Sequence, residues 1–107
     1  MKHAIGLVTV LALSVAAGEV RAQGAGDLAE GLAMARQVCS ECHAIQKGQV
    51  RSPNSRSPTF VELANAPGMT ATALLVALTT PHAGMPMFIL TPEQRAGIIA
   101  YILSLKG

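Results

Sequence analysis

Both cysteines of this 107-residue chain lie in one pentapeptide, Cys39-Ser40-Glu41-Cys42-His43. The rest of the sequence offers few large side chains for a core, with two Phe, one Tyr and no Trp. A domain of this size buries a small share of its surface, so it needs an added source of stability such as a disulfide, a metal or a large apolar ligand. That requirement points to the two cysteines.

Residues 1–22 have the layout of a secretory signal peptide. A basic start is followed by an uncharged, mostly apolar run over residues 4–17, and then by small or tolerated residues before a cleavage site. We predict cleavage after Ala22, export to the periplasm and a mature domain of residues 23–107. A retained membrane anchor is the alternative, but residues 4–17 would rise only about 21 Å as a helix, less than the ~30 Å hydrocarbon core.

The pattern Cys-x-x-Cys-His is the attachment signature of haem c. Two thiols separated by two residues can reach both vinyl groups of one haem from a single turn, and each forms a thioether bond. The histidine that follows the second cysteine then lies beneath the iron and supplies a nitrogen ligand. We therefore predict one haem c, attached covalently through Cys39 and Cys42 and bound by His43.

Three other interpretations of the motif stay open. Cys39 and Cys42 could form a redox-active dithiol, which would need a strand–helix–strand pattern that the flanking sequence lacks. They could form half of a zinc site, for which only His43 and His82 remain as histidines of the mature chain. They could also form a structural disulfide in an oxidising compartment.

Hydrophobic spacing and capping residues predict an all-α fold of three to five helices. The predicted helices cover residues 27–39, 59–65, 71–78 and a last segment after Thr91. Asp27, Thr70 and Thr91 are the expected N-caps of the first, third and last helices. Gln94 completes a capping box in the last of them.

Long loops are expected between these helices. Residues 46–57 and 81–90 are rich in turn-forming residues and show little helical pattern. The expected inward faces consist of Phe60 and Leu63 on the second helix and of Leu74, Leu75 and Leu78 on the third.

These residues resemble a known family, the class I cytochromes c in their short bacterial form, over essentially the whole mature chain. The family's first helix and haem motif are similar to Gly31 and residues 39–43, and its haem-flanking segment to Ser57-Pro58-Thr59-Phe60. Its methionine loop is similar to residues 79–86, which end in Met85-Pro86, and its closing helix to residues 99–102. The resemblance implies a small cytochrome c-like fold wrapped around one haem.

The resemblance also implies roles for individual residues. His43 resembles the proximal iron ligand and Met85 the distal ligand, an arrangement used for electron transfer. Pro58 resembles the residue whose carbonyl accepts a hydrogen bond from the ring N–H of the proximal histidine, which orients the imidazole and raises its basicity. Tyr101 resembles the aromatic residue that packs on the first helix near Gly31, where a small residue would let two helices cross closely.

Two side chains compete with Met85 for the distal position. Met87 lies two residues away, so one extended segment cannot direct both sulfurs at the same iron, and packing is its expected role. His82 is a rival nitrogen ligand that we expect to lie exposed beside Pro81.

One position departs from the family pattern. Ala35 lies four residues before Cys39, where the family often has an aromatic side chain. We expect Phe60 or Phe88 to fill that space, or else a looser haem edge.

The expected function is one-electron transfer as a periplasmic carrier. Enzymatic activity is not expected, because a peroxidase needs a distal acid–base pair that the sequence does not show. A gas-binding or sensing haem protein is one alternative, and an electron-transfer subunit of a larger dehydrogenase or oxidase complex is another.

The expected partners are redox proteins, donors and acceptors, that meet the haem edge of a monomer through small, transient interfaces. Lys47, Arg51 and Arg56 would favour an acidic partner, unless they only form a solvated loop. The sequence has no basic run and few aromatic residues, so it gives no indication of nucleic-acid binding. No membrane span is expected after cleavage of the leader.

Overall fold

The structure is a computed structural model that describes residue 6, residues 9–12 and residues 18–107, with side chains in the first helix from Asp27 onward. Within these residues it contains four helices, α1 (Gly18–Val38), α2 (Phe60–Asn65), α3 (Ala71–Thr79) and α4 (Pro92–Ser104). The same residues form no strand, only an isolated bridge between His82 and Met85. The predicted all-α fold with long loops is confirmed.

The predicted leader, residues 1–22, falls mostly outside the described residues, and its cleavage stays a prediction. None of the helices in the described part of the chain combines the length and the hydropathy of a membrane span.

The prediction that Asp27 caps the first helix is wrong. α1 begins at Gly18, so Asp27 lies inside the helix. The residues before Asp27 include Glu19, Arg21 and Gln23, which favour helix, although Gly24 and Gly26 disfavour it. A helix that continues on both sides of Asp27 also satisfies the local backbone N–H groups without a side-chain cap.

Threonine residues cap the N-termini of the other three helices. The hydroxyls of Thr59, Thr70 and Thr91 each accept a hydrogen bond of 3.1 Å from the backbone N–H three residues later. In α2 and α4, the side chains of Glu62 and Gln94 accept from the N–H of the cap residue in return. The caps predicted at Thr70 and Thr91 are confirmed, and each such cap contributes about 1 kcal/mol to stability.

α1 and α4 cross at a pair of glycines. A Cβ atom added at Gly31 would overlap the backbone carbonyl of Gly97 and would lie 3.0 Å from the Cβ of Tyr101. The close crossing expected near Gly31 and Tyr101 is confirmed, although Gly97 was not predicted as the other half of it. α2 and α3 also contact α4, so α4 is the element on which the other helices assemble.

Phe60 is the central aromatic residue of the core. It is 3% exposed, belongs to the same buried cluster as Ala35, and its ring centroid lies 5.6 Å from that of His43 and 6.3 Å from that of Tyr101. Phe88, the other candidate to compensate for Ala35, is 37% exposed. Phe60 is therefore the aromatic side chain that accompanies Ala35 in the core.

The predicted apolar face of α3 is only partly correct. Leu74 is buried and Leu78 is half-buried, whereas Leu75 is 42% exposed. α3 is a short helix that lies against α4 along one side. Residues four apart lie on the same side of a helix, so positions 74 and 78 face inward while the adjacent position 75 turns away.

The Tyr101 hydroxyl connects α4 to the chain that follows the cysteine motif. It donates a hydrogen bond of 2.7 Å to the carbonyl oxygen of the buried residue Ile45. Tyr101→Phe removes this donor, so we expect the free energy of unfolding to fall by about 1–2 kcal/mol in denaturant titrations. The control Thr79→Ala removes an exposed hydroxyl bond on α3 and should cost less than about 0.5 kcal/mol. Equal losses would contradict a special role for Tyr101.

The same phenol is expected to reduce stability at alkaline pH. Burial raises the pKa of Tyr101 above its ordinary value of 10, and the charge of Arg36 offsets part of this rise. The folded protein therefore holds the phenolic proton more tightly than the unfolded chain does. The resulting stabilisation is present below about pH 10 and is lost as the pH rises through the folded pKa. Denaturant titrations at increasing pH should show a steeper decline for the native protein than for Tyr101→Phe, and identical slopes would contradict this.

Candidate functional site

A cavity of about 690 Å³ opens between the cysteine motif, the loop before α2, α3 and the loop before α4. Its lining includes all the residues that the sequence predicted for the site: Cys39, Cys42, His43, Pro58 and Met85. Most of the other lining side chains are apolar, and the apolar ones come mainly from α2, α3, α4 and the end of α1. The volume falls within the range of roughly 300–1,000 Å³ that is usual for cofactor pockets.

The end of α1 delivers the motif to this cavity. After Val38 the backbone keeps turning, since the N–H of Cys39 donates to the carbonyl of Ala35 and the N–H of His43 donates to that of Cys39, both at 2.9 Å. These helix-like bonds keep Cys39, Cys42 and His43 within little more than one turn. All three side chains therefore reach the same wall of the cavity.

The two thiols are not bonded to each other. Cys39 is 7% exposed and Cys42 is half-buried. Burial raises the pKa of the Cys39 thiol to about 11, so this thiol is protonated at neutral pH. A redox-active dithiol needs the opposite shift, toward a stabilised thiolate. In the described part of the chain, no three His, Cys, Asp or Glu side chains come together as a metal-binding group.

His43 is oriented by the loop that follows it. Its Nδ1 atom donates a hydrogen bond of 2.6 Å to the carbonyl oxygen of Pro58. A carbonyl can only accept, so the proton of the neutral imidazole resides on Nδ1. The Nε2 atom keeps its lone pair, which is the form in which an imidazole binds a metal.

The loop between His43 and α2 is held by hydrogen bonds that the sequence did not reveal. The side-chain oxygen of Gln49 accepts from two consecutive backbone N–H groups, at 3.1 and 3.0 Å. Ser52 accepts from the N–H of Ala44 at 3.0 Å, and the carbonyl of Ala44 accepts from the N–H of Phe60 at 2.9 Å. These bonds hold the loop and the start of α2 close to the cysteine motif. The sequence gives no sign of this role, because these side chains bond to backbone N–H groups, which nearly every residue has.

Met85 lies in a tight turn on the cavity wall. Its N–H faces the carbonyl of His82 at 3.4 Å, and Gly84 has a φ of +81°, a conformation that favours glycine. The Met85 side chain is half-buried, and its sulfur lies 3.1 Å from Nε2 of His82, which is exposed but also lines the cavity. Met87 is 49% exposed in the segment between α3 and α4, so it does not belong to the buried core.

Comparisons with known proteins agree with this geometry. A family model described as cytochrome c oxidase, cbb3-type, subunit III matches residues 26–102. Cytochrome c-552 of Bradyrhizobium diazoefficiens is 32% identical over 104 residues, which cover 97% of this chain and 96% of that protein. No solved structure matches the chain. The chain therefore belongs to the class I c-type cytochromes, haem c proteins that transfer electrons.

Proposed function

We propose that the protein is a periplasmic electron carrier that transfers one electron at a time through a single haem c. Cys39 and Cys42 form the two thioether bonds, His43 is the proximal ligand and Met85 is the distal ligand. One observation carries this proposal: these four side chains line one cavity, and the carbonyl of Pro58 already orients the imidazole among them.

The cavity suits a large, flat, apolar ring. Beside the two thiols, its lining includes the side chains of Val38, Phe60, Leu74, Ile98 and Ile102. When bound, haem c supplies a one-electron couple between ferrous and ferric iron. An apolar enclosure favours the ferrous state, because the extra positive charge of the ferric state is poorly stabilised away from water.

Backbone and side-chain groups of the chain set the behaviour of the site. The carbonyl of Pro58 keeps His43 in one tautomer and one orientation, and it raises the basicity of Nε2. The thioether of Met85 favours reduced iron and raises the potential relative to ligation by two histidines. If His43 and Met85 both hold the iron, no ligand would need to enter or leave during electron transfer, as a carrier requires and a gas sensor or a peroxidase does not.

The partners that we infer are redox proteins, with which a monomeric carrier forms small, transient interfaces. Lys47, Arg51 and Arg56 are all exposed in the loop that leads to α2, and Arg56 also lines the cavity. Their positive charge would steer an acidic surface of the partner toward this side of the molecule.

The test is the visible spectrum of the protein purified from a host that matures c-type cytochromes. We expect a low-spin haem c spectrum, oxidised and reduced, that carbon monoxide does not alter. A high-spin or carbon monoxide-reactive spectrum would instead support a sensing or enzymatic role. The absence of covalent haem would overturn the proposed function.

Substitution tests whether Met85 or Met87 is the distal ligand. Met85→Leu should abolish the near-infrared absorption band of thioether-bound ferric iron and lower the reduction potential. The matched variant Met87→Leu should retain both, because Met87 lies outside the cavity lining. The reverse pattern would assign the distal position to Met87.

Export is tested independently of haem ligation. We expect the haem-loaded protein in the periplasmic fraction, with a mass equal to residues 23–107 plus one haem. A mass that includes residues 1–22, recovered with the membranes, would show that the leader is retained as an anchor.

A further inference from the structure

His82 and Met85 present two possible iron donors at one place on the cavity wall. Nε2 of His82 lies 3.1 Å from the sulfur of Met85, and both residues line the cavity. A backbone bridge between the two residues and the positive φ of Gly84 keep them in the same turn. Iron that the sulfur of Met85 would hold could therefore be held by the ring nitrogen of His82 after a shift comparable to the 3.1 Å between them.

The ring of His82 is supported in the same way as that of His43. Its Nδ1 atom lies 3.1 Å from the carbonyl oxygen of Thr80, and its Nε2 atom lies 3.1 Å from the sulfur of Met85. Both partners can only accept, so a neutral ring donates to one of them, and the carbonyl is the stronger acceptor, which places the proton on Nδ1. Nε2 then keeps its lone pair, as it does in His43, whose Nδ1 donates to Pro58. A histidine that binds a metal through one ring nitrogen usually donates a hydrogen bond from the other nitrogen to an acceptor such as a backbone carbonyl.

We propose that His82 is a reserve distal ligand, which binds the iron when the sulfur of Met85 is not available; this rests on the proposed function. In the native protein the thioether keeps the distal position, because Met85 is half-buried whereas the exposed ring of His82 can turn back to water. When the sulfur is lost, His43 and His82 would bind the iron in place of His43 and Met85. The iron stays closed, and its reduction potential falls.

The experiment uses the haem-loaded Met85→Leu variant, in which leucine keeps the apolar volume of methionine so that folding is preserved. We expect a low-spin iron that does not bind carbon monoxide, with an electron paramagnetic resonance signal typical of two imidazole ligands. Adding His82→Ala to this variant should give a high-spin iron that binds carbon monoxide. An open, carbon monoxide-binding iron in Met85→Leu alone would overturn the assignment of His82.

A second double variant excludes the other methionine. Met85→Leu/Met87→Leu should remain closed and low-spin, as Met85→Leu does. If this variant opens to carbon monoxide while Met85→Leu stays closed, Met87 rather than His82 replaces the lost sulfur, and the assignment is wrong. A native protein without haem, or with an iron already open, would refute the proposed function instead, so the two failures are distinguishable.

Discussion

Cys39→Ala/Cys42→Ala is expected to give a chain that carries no covalent haem and has lost most of its helical circular dichroism. Both thioether bonds need these thiols, and without the ring a cavity of about 690 Å³ remains between the cysteine motif and the helices. The short helices cannot compensate, since α3 buries only Leu74 among its side chains. The remaining apolar burial is too small to offset the conformational entropy lost on folding.

The matched control for this variant is Ser40→Ala/Glu41→Ala, which changes the two residues between the cysteines and keeps both thiols. Its haem content on a denaturing gel and its far-ultraviolet circular dichroism should match those of the native protein. If the cysteine variant showed an unchanged circular dichroism spectrum, the helices would be stable without haem, and the ring would not be the main source of core stability.

The features that the sequence predicted well are those that depend on neighbouring residues. The caps at Thr70 and Thr91 and the capping box completed by Gln94 arise within four positions of one another, so residue type alone identifies them. The cysteine motif is equally local, because its residues lie within little more than one turn. The resemblance to the class I cytochromes c contributed the expectations that are not local, including the contact of His43 with the carbonyl of Pro58.

The features that the sequence missed do not follow from residue type alone. The start of α1 was placed too late because Asp27 is a good cap by residue type, although the helix continues through it. Leu75 was placed inward because leucines are apolar, but only tertiary packing decides which side of α3 is covered. The proximity of His82 to the sulfur of Met85 depends on the turn geometry around Gly84, which residue types suggest but do not determine.

Gly31→Ala is expected to be the most destabilising single substitution in the helical scaffold. An alanine inside an exposed helix would gain about 1 kcal/mol over glycine from helix propensity. Here the added Cβ overlaps the carbonyl of Gly97, which is backbone and can move only if α4 moves with it. Overpacking of this kind costs about 1–3 kcal/mol and occasionally more. Because the overlap is with backbone, we expect a cost at the upper end of this range, about 3 kcal/mol. After the gain in helix propensity, the net loss is about 2 kcal/mol, a fall of roughly 10 °C in Tm for a domain of this size.

Gly97→Ala is the matched control, because it adds the same methyl group on the other side of the same crossing. Its Cβ would lie 3.3 Å from the carbonyl oxygen of Asp27 and from the N atom of Gly31, a crowding that a shift of a few tenths of an ångström relieves. The gain in helix propensity offsets most of that cost, so thermal unfolding of the haem-loaded variants should rank the native protein and Gly97→Ala close together and Gly31→Ala well below both. A Gly31→Ala protein as stable as the native one would mean that α1 and α4 do not cross at this contact, and the packing of Tyr101 close to Gly31 would need another cause.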